Sequence, residues 1–208
     1  LHPLNGRREQ RLTLAERRAP SWRPGDEGGH EHGRGEKIMS ITIDRESRHV
    51  DKSEWGDGPW QRESDKMQWI DEATGLDCLI VRVPWTGHLC GYVGVPETHP
   101  AFGLDYDKAN ELASINEDNY RLFNVHGGLT FAGACQEGAE EDGICHVPQP
   151  GRPDRVWWFG FDMAHLDDLM PASEARLSLW SHQRDVYRTV EYVQGECTHL
   201  ASQLAAIR

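Results

Sequence analysis

Two short apolar tracts separated by a tight turn constrain the fold of this chain most strongly. The first, LDCLIVRVPW (residues 76–85), is rich in β-branched side chains and is bounded by glycine and proline, which is typical of a strand. The second, HLCGYVGVP (residues 88–96), has the same character, and only Thr86 and Gly87 separate the two. Two residues are enough to join neighbouring antiparallel strands. The sequence therefore predicts a β-hairpin within an antiparallel sheet.

Two more strands and two helices follow from the patterns in the rest of the chain. GGLTFAGAC (residues 127–135) and RVWWFGFDM (residues 155–163) predict strands, whereas near-helical spacing predicts a helix within residues 106–123. Between residues 185 and 207, apolar residues recur at steps of three and four and define one face of a long helix: Val186, Val190, Val193, Cys197, Leu200 and Leu204. The predicted fold class is α+β, with an antiparallel sheet, helices packed on one face and a long C-terminal amphipathic helix.

Composition divides the chain near Met39. Residues 1–38 hold eight basic and six acidic residues and few apolar ones, a composition that cannot bury enough surface to fold. We therefore predict a disordered N-terminal extension over residues 1–38, added by an early start site or as a tail, and a single α+β domain over residues 39–208. Within that domain the folded part is expected to begin near Trp55. The tract at residues 65–75 decides neither for a helix nor for a loop.

The charge of the chain excludes one class of partner. The 208 residues carry a net charge of −12, and residues 39–208 alone carry −14. Phosphate-backbone binding depends on clustered lysine and arginine, so nucleic acid is not an expected partner. No apolar run approaches the roughly 20 residues of a membrane-spanning helix, and residues 1–38 lack the apolar core of a secretory signal. We expect a cytoplasmic protein that does not bind membranes.

Five cysteines are spread along the chain without a CxxC pair: Cys78, Cys90, Cys135, Cys145 and Cys197. An odd number at wide spacing favours buried thiols in a reducing compartment over a disulfide framework. The spacing also excludes a zinc site built from two CxxC pairs. A convergence of Cys90, Cys135 and Cys145 with a histidine in three dimensions stays open as an alternative.

Polar residues lie at the ends of the last two predicted strands. His126 comes directly before one strand, in VHGGLTF, and Asp162 ends the other, in WWFGFD. If Phe131 lies opposite Trp157, the constant index sum of an antiparallel pair places His126 opposite Asp162, and neighbouring registers keep both at one edge of the sheet. His165 and Asp168, which are one turn apart if the chain coils there, are expected to lie close to this edge. The candidate site therefore comprises His126, Asp162, His165 and Asp168.

A histidine–aspartate cluster of this kind supports two kinds of chemistry. A carboxylate that accepts a hydrogen bond from one imidazole nitrogen makes the other nitrogen a general base near neutral pH. Two histidines and one or two aspartates can equally hold a divalent metal ion that activates water. Gly127 and Gly128 leave the backbone amides after His126 open to an anionic substrate or cofactor group. The alternative is structural, with a histidine in a hydrogen-bond network and Asp162 capping a turn.

Five motifs follow one another in a fixed order: GYVGV in GHLCGYVGVPETHPAFGLDY, HGGLT in VHGGLTFAG, GICHVP, WWFGFD in WWFGFDMAHLDDLMP, and YRTVEYVQGECTHLASQL. Together they resemble an uncharacterised family of small proteins from phages and bacterial genomes. The resemblance covers residues 55–206 and leaves residues 1–38 outside. It implies a stand-alone cytoplasmic protein of phage type and no particular activity. The chain departs from the family at Met163, where a small residue or cysteine is favoured, so any site thiol there would be lacking.

Two functions are therefore candidates. The first is a small hydrolase or transferase whose His/Asp site, with or without a divalent metal, acts on a nucleotide-like or other small substrate. In it His126 is a base or ligand, Asp162 is its orienting group or a ligand, and His165 with Asp168 completes the cluster. The second is a non-catalytic phage accessory protein that binds a host protein through its acidic surface, because the folded part carries a charge of −14.

Overall fold

Six strands form one sheet in the computed structural model, in the order β1-β2-β3-β4-β6-β5. The strands are β1 (Ile43–Ser47), β2 (Lys66–Ile70), β3 (Asp77–Arg82), β4 (Leu89–Pro96), β5 (Phe131–Ala134) and β6 (Val156–Asp162). Every neighbouring pair is antiparallel, which confirms the predicted sheet. The structure describes residues 41–114, 122–136, 138, 140–176 and 185–207, so the predicted extension at residues 1–38 lies outside the described residues.

Strands β3 and β4 form the predicted hairpin. The Val83 amide donates to the His88 carbonyl at 2.9 Å, and the Gly87 amide donates to the Val83 carbonyl at 2.8 Å. Gly87 has a φ of 83°, a left-handed conformation that glycine adopts without steric strain. Within β4, a Cβ at Gly91 would collide with the ring of Phe161. Glycine at this position therefore makes room for a large aromatic side chain in the core.

The first two strands depart from what the sequence predicts. Because β1 pairs with β2 along its length, the folded part begins well before Trp55, and that expectation was wrong. Strand β1 is a short edge strand with three charged residues, which is typical of edges protected against further pairing. In β2, Lys66 and Gln68 are buried and donate to backbone carbonyls of the connection between β5 and β6. Polar residues at buried positions disrupt the alternation by which such a strand is recognised.

Three α-helices occur among the described residues: α1 (Tyr106–Asn110), α2 (Pro171–Arg176) and α3 (Val190–Ala205). The α1 helix ends far earlier than the predicted helix over residues 106–123, of which residues 115–121 lie outside the described part of the chain. The long C-terminal helix is present, in agreement with the predicted fold class. None of the helices in the described ranges has both the length and the apolar character needed to cross a membrane.

The C-terminal helix α3 begins five residues later than the apolar pattern predicts. The side chain of Thr189 caps it by accepting a hydrogen bond from the Tyr192 amide. Val186 lies before the helix, is half exposed, and donates its amide to the Asp167 carbonyl at 2.8 Å. The helix buries Val190, Val193, Cys197, Leu200, Ala201 and Leu204.

Both faces of the sheet are covered. The α3 helix packs against β3 and β4 on one face, where Val93 and Leu200 belong to the largest core cluster. On the opposite face, Tyr92 and Trp158 form a second cluster, and Ile144 from the β5–β6 connection packs against it. This connection, residues 135–155, is called the covering loop below. The sheet is therefore enclosed by a helix on one side and by irregular chain on the other.

A buried ion-pair network joins β3 to the start of α3. Arg82 is only 1% exposed, and its guanidinium donates to Asp65 Oδ1 at 2.8 Å and to Glu63 Oε2 at 3.0 Å. It also donates to the Tyr187 hydroxyl at 2.8 Å. The other oxygen of Glu63 accepts the amide of Val190, the first residue of α3, at 3.0 Å. Because each charge has a close partner, the network fixes where α3 begins.

We predict that the Arg82→Met substitution strongly destabilises the protein. Methionine keeps much of the apolar volume but leaves the buried carboxylates of Asp65 and Glu63 without their guanidinium. The free energy of unfolding, measured by urea denaturation, should fall by about 3 to 5 kcal/mol. The control is Lys108→Met, which removes an exposed ion pair with Glu111 and should leave stability nearly unchanged. Equal effects of the two substitutions would contradict a structural role for the network.

Candidate active site

Strands β5 and β6 bring the two polar tracts together, but in a different register from the one predicted. Phe131 lies opposite Gly160 and not opposite Trp157, so the predicted register was wrong by three residues. If the observed pairing of β5 with β6 is continued beyond the ends of the strands, His126 lies opposite His165. The rings of these two histidines do meet, edge to face, with centroids 5.4 Å apart. The three-residue shift therefore places His165, and not Asp162, opposite His126. The polar ends of both strands still lie at one edge of the sheet.

Asp168 lies at the centre of this cluster. Its Oδ2 is 2.7 Å from His126 Nε2 and accepts the His165 amide at 3.0 Å, while its Oδ1 accepts from Arg188 Nε at 2.8 Å. Burial acts to raise the pKa of this carboxyl, but the hydrogen bonds from Arg188, His126 and the His165 amide outweigh it and hold the pKa below its usual value. Asp168 is therefore an anion at neutral pH, although its side chain is almost completely buried.

Three residues around the start of α3, which sequence reasoning missed, hold His126 in place. The hydroxyl of Tyr192 lies 3.1 Å from His126 Nδ1, and Glu196 accepts the His126 amide at 2.7 Å. The guanidinium of Arg188 lies over the Tyr192 ring, 5.0 Å from its centroid. Tyr192 and Glu196 lie four positions apart on one side of α3, and Arg188 lies two residues before the helix begins. The four-residue spacing of these polar residues, beside the apolar face of α3, is the sequence signal that could have identified them.

His165 carries the unusual atom of the cluster. Its Nδ1 is buried and has no hydrogen-bond partner among the described residues. The nearest acidic oxygens are Asp162 Oδ1 at 3.7 Å and Asp168 Oδ2 at 3.8 Å, both too far for a hydrogen bond. Buried polar atoms in proteins are nearly always satisfied, and the exceptions call for an explanation such as catalysis or a bound ion.

The two glycines after His126 shape the turn before β5, and a role for the Gly127 amide toward an anion stays a prediction. The amide of Gly128 donates to the Val125 carbonyl at 3.0 Å, so it closes a turn and is not open to an anion. Gly127 has a φ of 66°, and a Cβ on it would fall within the ring of His165. Glycine at this position therefore lets the His165 ring lie directly against the backbone of the turn.

Asp162 occupies the end of β6, opposite Cys90. Its Oδ1 accepts the Ala164 amide at 3.1 Å, which is the turn-capping role considered as the structural alternative. His126, His165 and Asp168 are the three side chains whose ligand atoms all lie within 4.8 Å of one another. Asp162 reaches this trio, called the histidine–aspartate cluster below, through its contact with His165. Of the four predicted residues, the structure thus brings three into one cluster and sets the fourth beside it.

An open cleft of about 340 Å³ adjoins the cluster on the covering-loop face of the sheet. Asp162 lines the cleft and contacts His165 of the cluster, and Trp85, Tyr92 and Phe131 are among the other walls of the cleft. Trp85 is 69% exposed, so its ring is accessible to a planar ligand. His88 also lines the cleft; burial lowers its pKa, although the nearby Asp162 carboxylate acts to raise it. A planar small molecule bound here would lie beside Asp162, whose Oδ1 is 3.7 Å from His165 Nδ1.

The structure bears on two expectations about sulfur chemistry. Met163 is buried in the same core cluster as Cys197 and Leu200 of α3, and a role for a thiol at this position stays a prediction. Cys135 and Cys145 form a disulfide, contrary to the preference for unpaired thiols, whereas Cys78, Cys90 and Cys197 are free and buried as expected. The paired cysteines are ten positions apart, and no spacing rule marks that pair in the sequence.

Neither a protein-family model, nor a curated protein, nor a solved structure matches the chain. The resemblance to a phage and bacterial family therefore stays a prediction. The side-chain geometry of the cluster and its cleft is the basis on which a function can be proposed.

The pKa of Asp168 predicts a pH-dependent effect of Arg188→Met. A carboxyl whose folded-state pKa is depressed adds stability above its unfolded value, about 3.9, and loses it as the pH falls through the folded value. Methionine removes the strongest stabilising hydrogen bond, so the pKa of Asp168 rises and this contribution shrinks. In urea denaturation the wild type should exceed the variant in stability at pH 7, and the difference should narrow below about pH 4.

The matched control for this prediction is Arg155→Met. Arg155 pairs with Glu97 on the surface, where both side chains are more than half exposed. Its substitution should give a small difference in stability that does not change with pH. A wild-type advantage over Arg188→Met that stays constant down to the lowest measurable pH would show that Asp168 is not held as an anion by Arg188.

Proposed function

We propose that the protein is a cytoplasmic hydrolase or transferase that binds a divalent metal ion at the histidine–aspartate cluster and acts on a small, nucleotide-like substrate. The ligands are His126 Nε2, His165 Nδ1 and Asp168 Oδ2. The observation that carries the proposal is the buried His165 Nδ1, which has no hydrogen-bond partner among the described residues and faces two carboxylates. A cation between these groups would satisfy that nitrogen.

The spacing of the ligand atoms supports a metal ion of the size of zinc. Metal–nitrogen and metal–oxygen bonds of about 2.1 Å place neighbouring ligands about 3.4 Å apart in a tetrahedral site. In the cluster, Asp168 Oδ2 lies 2.7 Å from His126 Nε2 and about 3.8 Å from His165 Nδ1. These distances lie on either side of the tetrahedral value, so small side-chain adjustments bring all three atoms into coordination. Imidazole and carboxylate ligands suit Zn²⁺ and Mn²⁺.

The groups behind the ligands fit a metal site as well. Without a metal, His126 donates from Nε2 to Asp168, because an ionised carboxylate can only accept. With a metal on Nε2, the proton resides on Nδ1 and donates to the Tyr192 hydroxyl, which lies 3.1 Å away and can either donate or accept. Arg188 holds the other oxygen of Asp168 in both cases. Partners of this kind orient metal ligands and raise their affinity.

Three protein ligands leave a coordination position for water, which is the pattern of catalytic zinc sites. A bound metal ion lowers the pKa of such a water so that it attacks a substrate near neutral pH. Asp162, between the cluster and the cleft, is placed to accept a proton from that water or to orient it. The exposed ring of Trp85 offers a surface on which a planar base can stack.

The competing proposal is a non-catalytic protein that binds a host protein through its acidic surface. One local observation favours it: Glu140, Glu141 and Asp142 are consecutive and exposed on the covering loop. The His126→Ala substitution separates the two, because it abolishes catalysis in a folded protein but leaves binding through the loop unaffected. The Glu141→Gln substitution should instead weaken binding through the loop and leave catalysis unaffected.

The metal proposal predicts that the purified wild type, kept free of reductant so that the disulfide stays closed, binds one equivalent of Zn²⁺ or Mn²⁺. Titration calorimetry should show that His165→Ala raises the Kd by more than about 100-fold, because loss of a ligand exceeds the loss of a hydrogen-bonding partner. Tyr192→Phe should raise it by about 10-fold, since only the orienting hydroxyl is removed. Hydrolysis of a panel of nucleoside phosphates with added metal tests the activity.

The control variant is His199→Ala, which removes an exposed histidine on α3 outside the cluster and should leave the Kd unchanged. Circular dichroism spectra of all variants establish that they are folded. If the wild type binds no metal and its melting temperature does not change with Zn²⁺, Mn²⁺ or Mg²⁺, the metal proposal is wrong. Activity that survives in His126→Ala would exclude this cluster as the catalytic site.

A further inference from the structure

A second group of metal-ligand side chains lies at the opposite end of β5, in the covering loop. Cys135 directly follows β5, and the loop returns to place Cys145 and His146 against it. One ligand atom from each of the three lies within 4.8 Å of the other two. Cys145 and His146 are buried and Cys135 is partly exposed. This group is called the cysteine–histidine cluster, and the proposed function above makes no use of it.

Backbone hydrogen bonds hold the two cysteines together independently of the bond between their sulfurs. The Gln136 amide donates to the Ile144 carbonyl at 3.1 Å, which closes the loop beside both cysteines. Lys66 of β2 donates to the Cys145 carbonyl at 2.8 Å. Next to it, Gln68 exchanges two hydrogen bonds with the backbone of Val147, at 2.7 and 2.9 Å. Opening the disulfide therefore leaves two thiols that stay close to each other.

The orientation of His146 is set by a hydrogen bond on the far side of its ring. Nε2 lies 3.3 Å from the Pro153 carbonyl oxygen, which can only accept, so Nε2 carries the proton. The unprotonated Nδ1 then faces Cys135 Sγ at 3.8 Å. The ring also packs against that of Trp158 in a T-shaped arrangement, with centroids 5.4 Å apart. A histidine whose second nitrogen is tied to a carbonyl is the usual form of a metal-binding imidazole.

The distances suit zinc. Zinc–sulfur bonds of about 2.3 Å and zinc–nitrogen bonds of about 2.05 Å place sulfur and nitrogen about 3.6 Å apart in a tetrahedral site. The observed separation between Cys135 Sγ and His146 Nδ1 is 3.8 Å. A cleft of about 350 Å³ has Cys135 and Cys145 among its walls, and Cys135 is partly exposed.

We infer that Cys135, Cys145 and His146 form a redox-controlled zinc site, closed as a disulfide in the oxidised protein and able to bind Zn²⁺ when reduced. The two states exclude each other because both sulfurs are used in each. In the reduced state two thiolates and His146 Nδ1 are the ligands, and the fourth position faces the cleft. The cytoplasmic location proposed above would favour the reduced, zinc-binding state.

The change between the states balances as a thiol–disulfide exchange. A small dithiol attacks one sulfur of the Cys135–Cys145 bond and then forms its own disulfide, which transfers two electrons and two protons to the protein. Zn²⁺ binding then displaces the two thiol protons into solvent, because zinc coordinates thiolates. A phosphine reductant gives the same two thiols in the protein. The phosphine itself is oxidised to a phosphine oxide, whose oxygen comes from water.

The experiment compares oxidised and phosphine-reduced protein in the His165→Ala background, which removes the first proposed metal site. Titration calorimetry should show one equivalent of Zn²⁺ bound by the reduced protein and none at this site by the oxidised protein. Co²⁺ in place of Zn²⁺ should give a thiolate-to-cobalt charge-transfer absorption only after reduction. Cys145→Ser and His146→Asn should each raise the Kd by more than about 100-fold.

The matched control is Cys90→Ala, which removes a buried free thiol on β4 whose pKa is raised by burial to about 12. It should bind zinc as tightly as the parent protein after reduction. Equal zinc binding before and after reduction would overturn the inference, as would unchanged binding in a folded Cys145→Ser protein. If the serine and asparagine variants fail to fold, the comparison of the two redox states of the parent protein decides by itself.

Discussion

The buried guanidinium of Arg82 is the interaction on which the rest of the structure depends. It lies at the end of β3, an interior strand of the sheet, and binds Asp65 and Glu63, while Glu63 also accepts the first amide of α3. A buried charge is tolerated only where all its hydrogen bonds are made, so the network permits one placement of the helix start. Tyr192 lies two residues beyond that start, so the placement of the helix also sets the position of the hydroxyl that contacts His126.

The cluster forms because a sheet edge and a helix start meet at one point. His165 and Asp168 lie in the tract that follows β6, and His126 lies in the turn before β5. Arg188 lies in the segment that leads into α3. Gly127 permits close contact between the two histidine rings. The buried anion of Asp168 holds the three segments together, since each donates a hydrogen bond to it. The same charge that would bind a cation thus also stabilises the fold.

The sequence predicted the elements that have a local pattern, and it did not predict features that depend on a partner far away in the chain. β-branched composition and turn residues predicted the β3–β4 hairpin, and apolar spacing predicted a C-terminal helix, because these patterns are local in the sequence. The register of β5 against β6 was wrong by three residues, since a four-residue strand contains too few apolar positions to fix its pairing. Strand β2 was missed because Lys66 and Gln68 are satisfied by the covering loop, a partner that no local pattern reveals.

The two proposed metal sites are chemically distinct although a single short strand connects them. His126 precedes β5 and Cys135 follows it, so the sites flank a strand of four residues, which spans about 13 Å at 3.3 Å per residue. One offers imidazole and carboxylate, which do not change with redox conditions, and the other offers thiolates that disappear when the disulfide closes. Oxidation therefore removes one metal site and leaves the ligands of the other intact. A metal requirement that persists in oxidised protein must accordingly arise from the histidine–aspartate cluster.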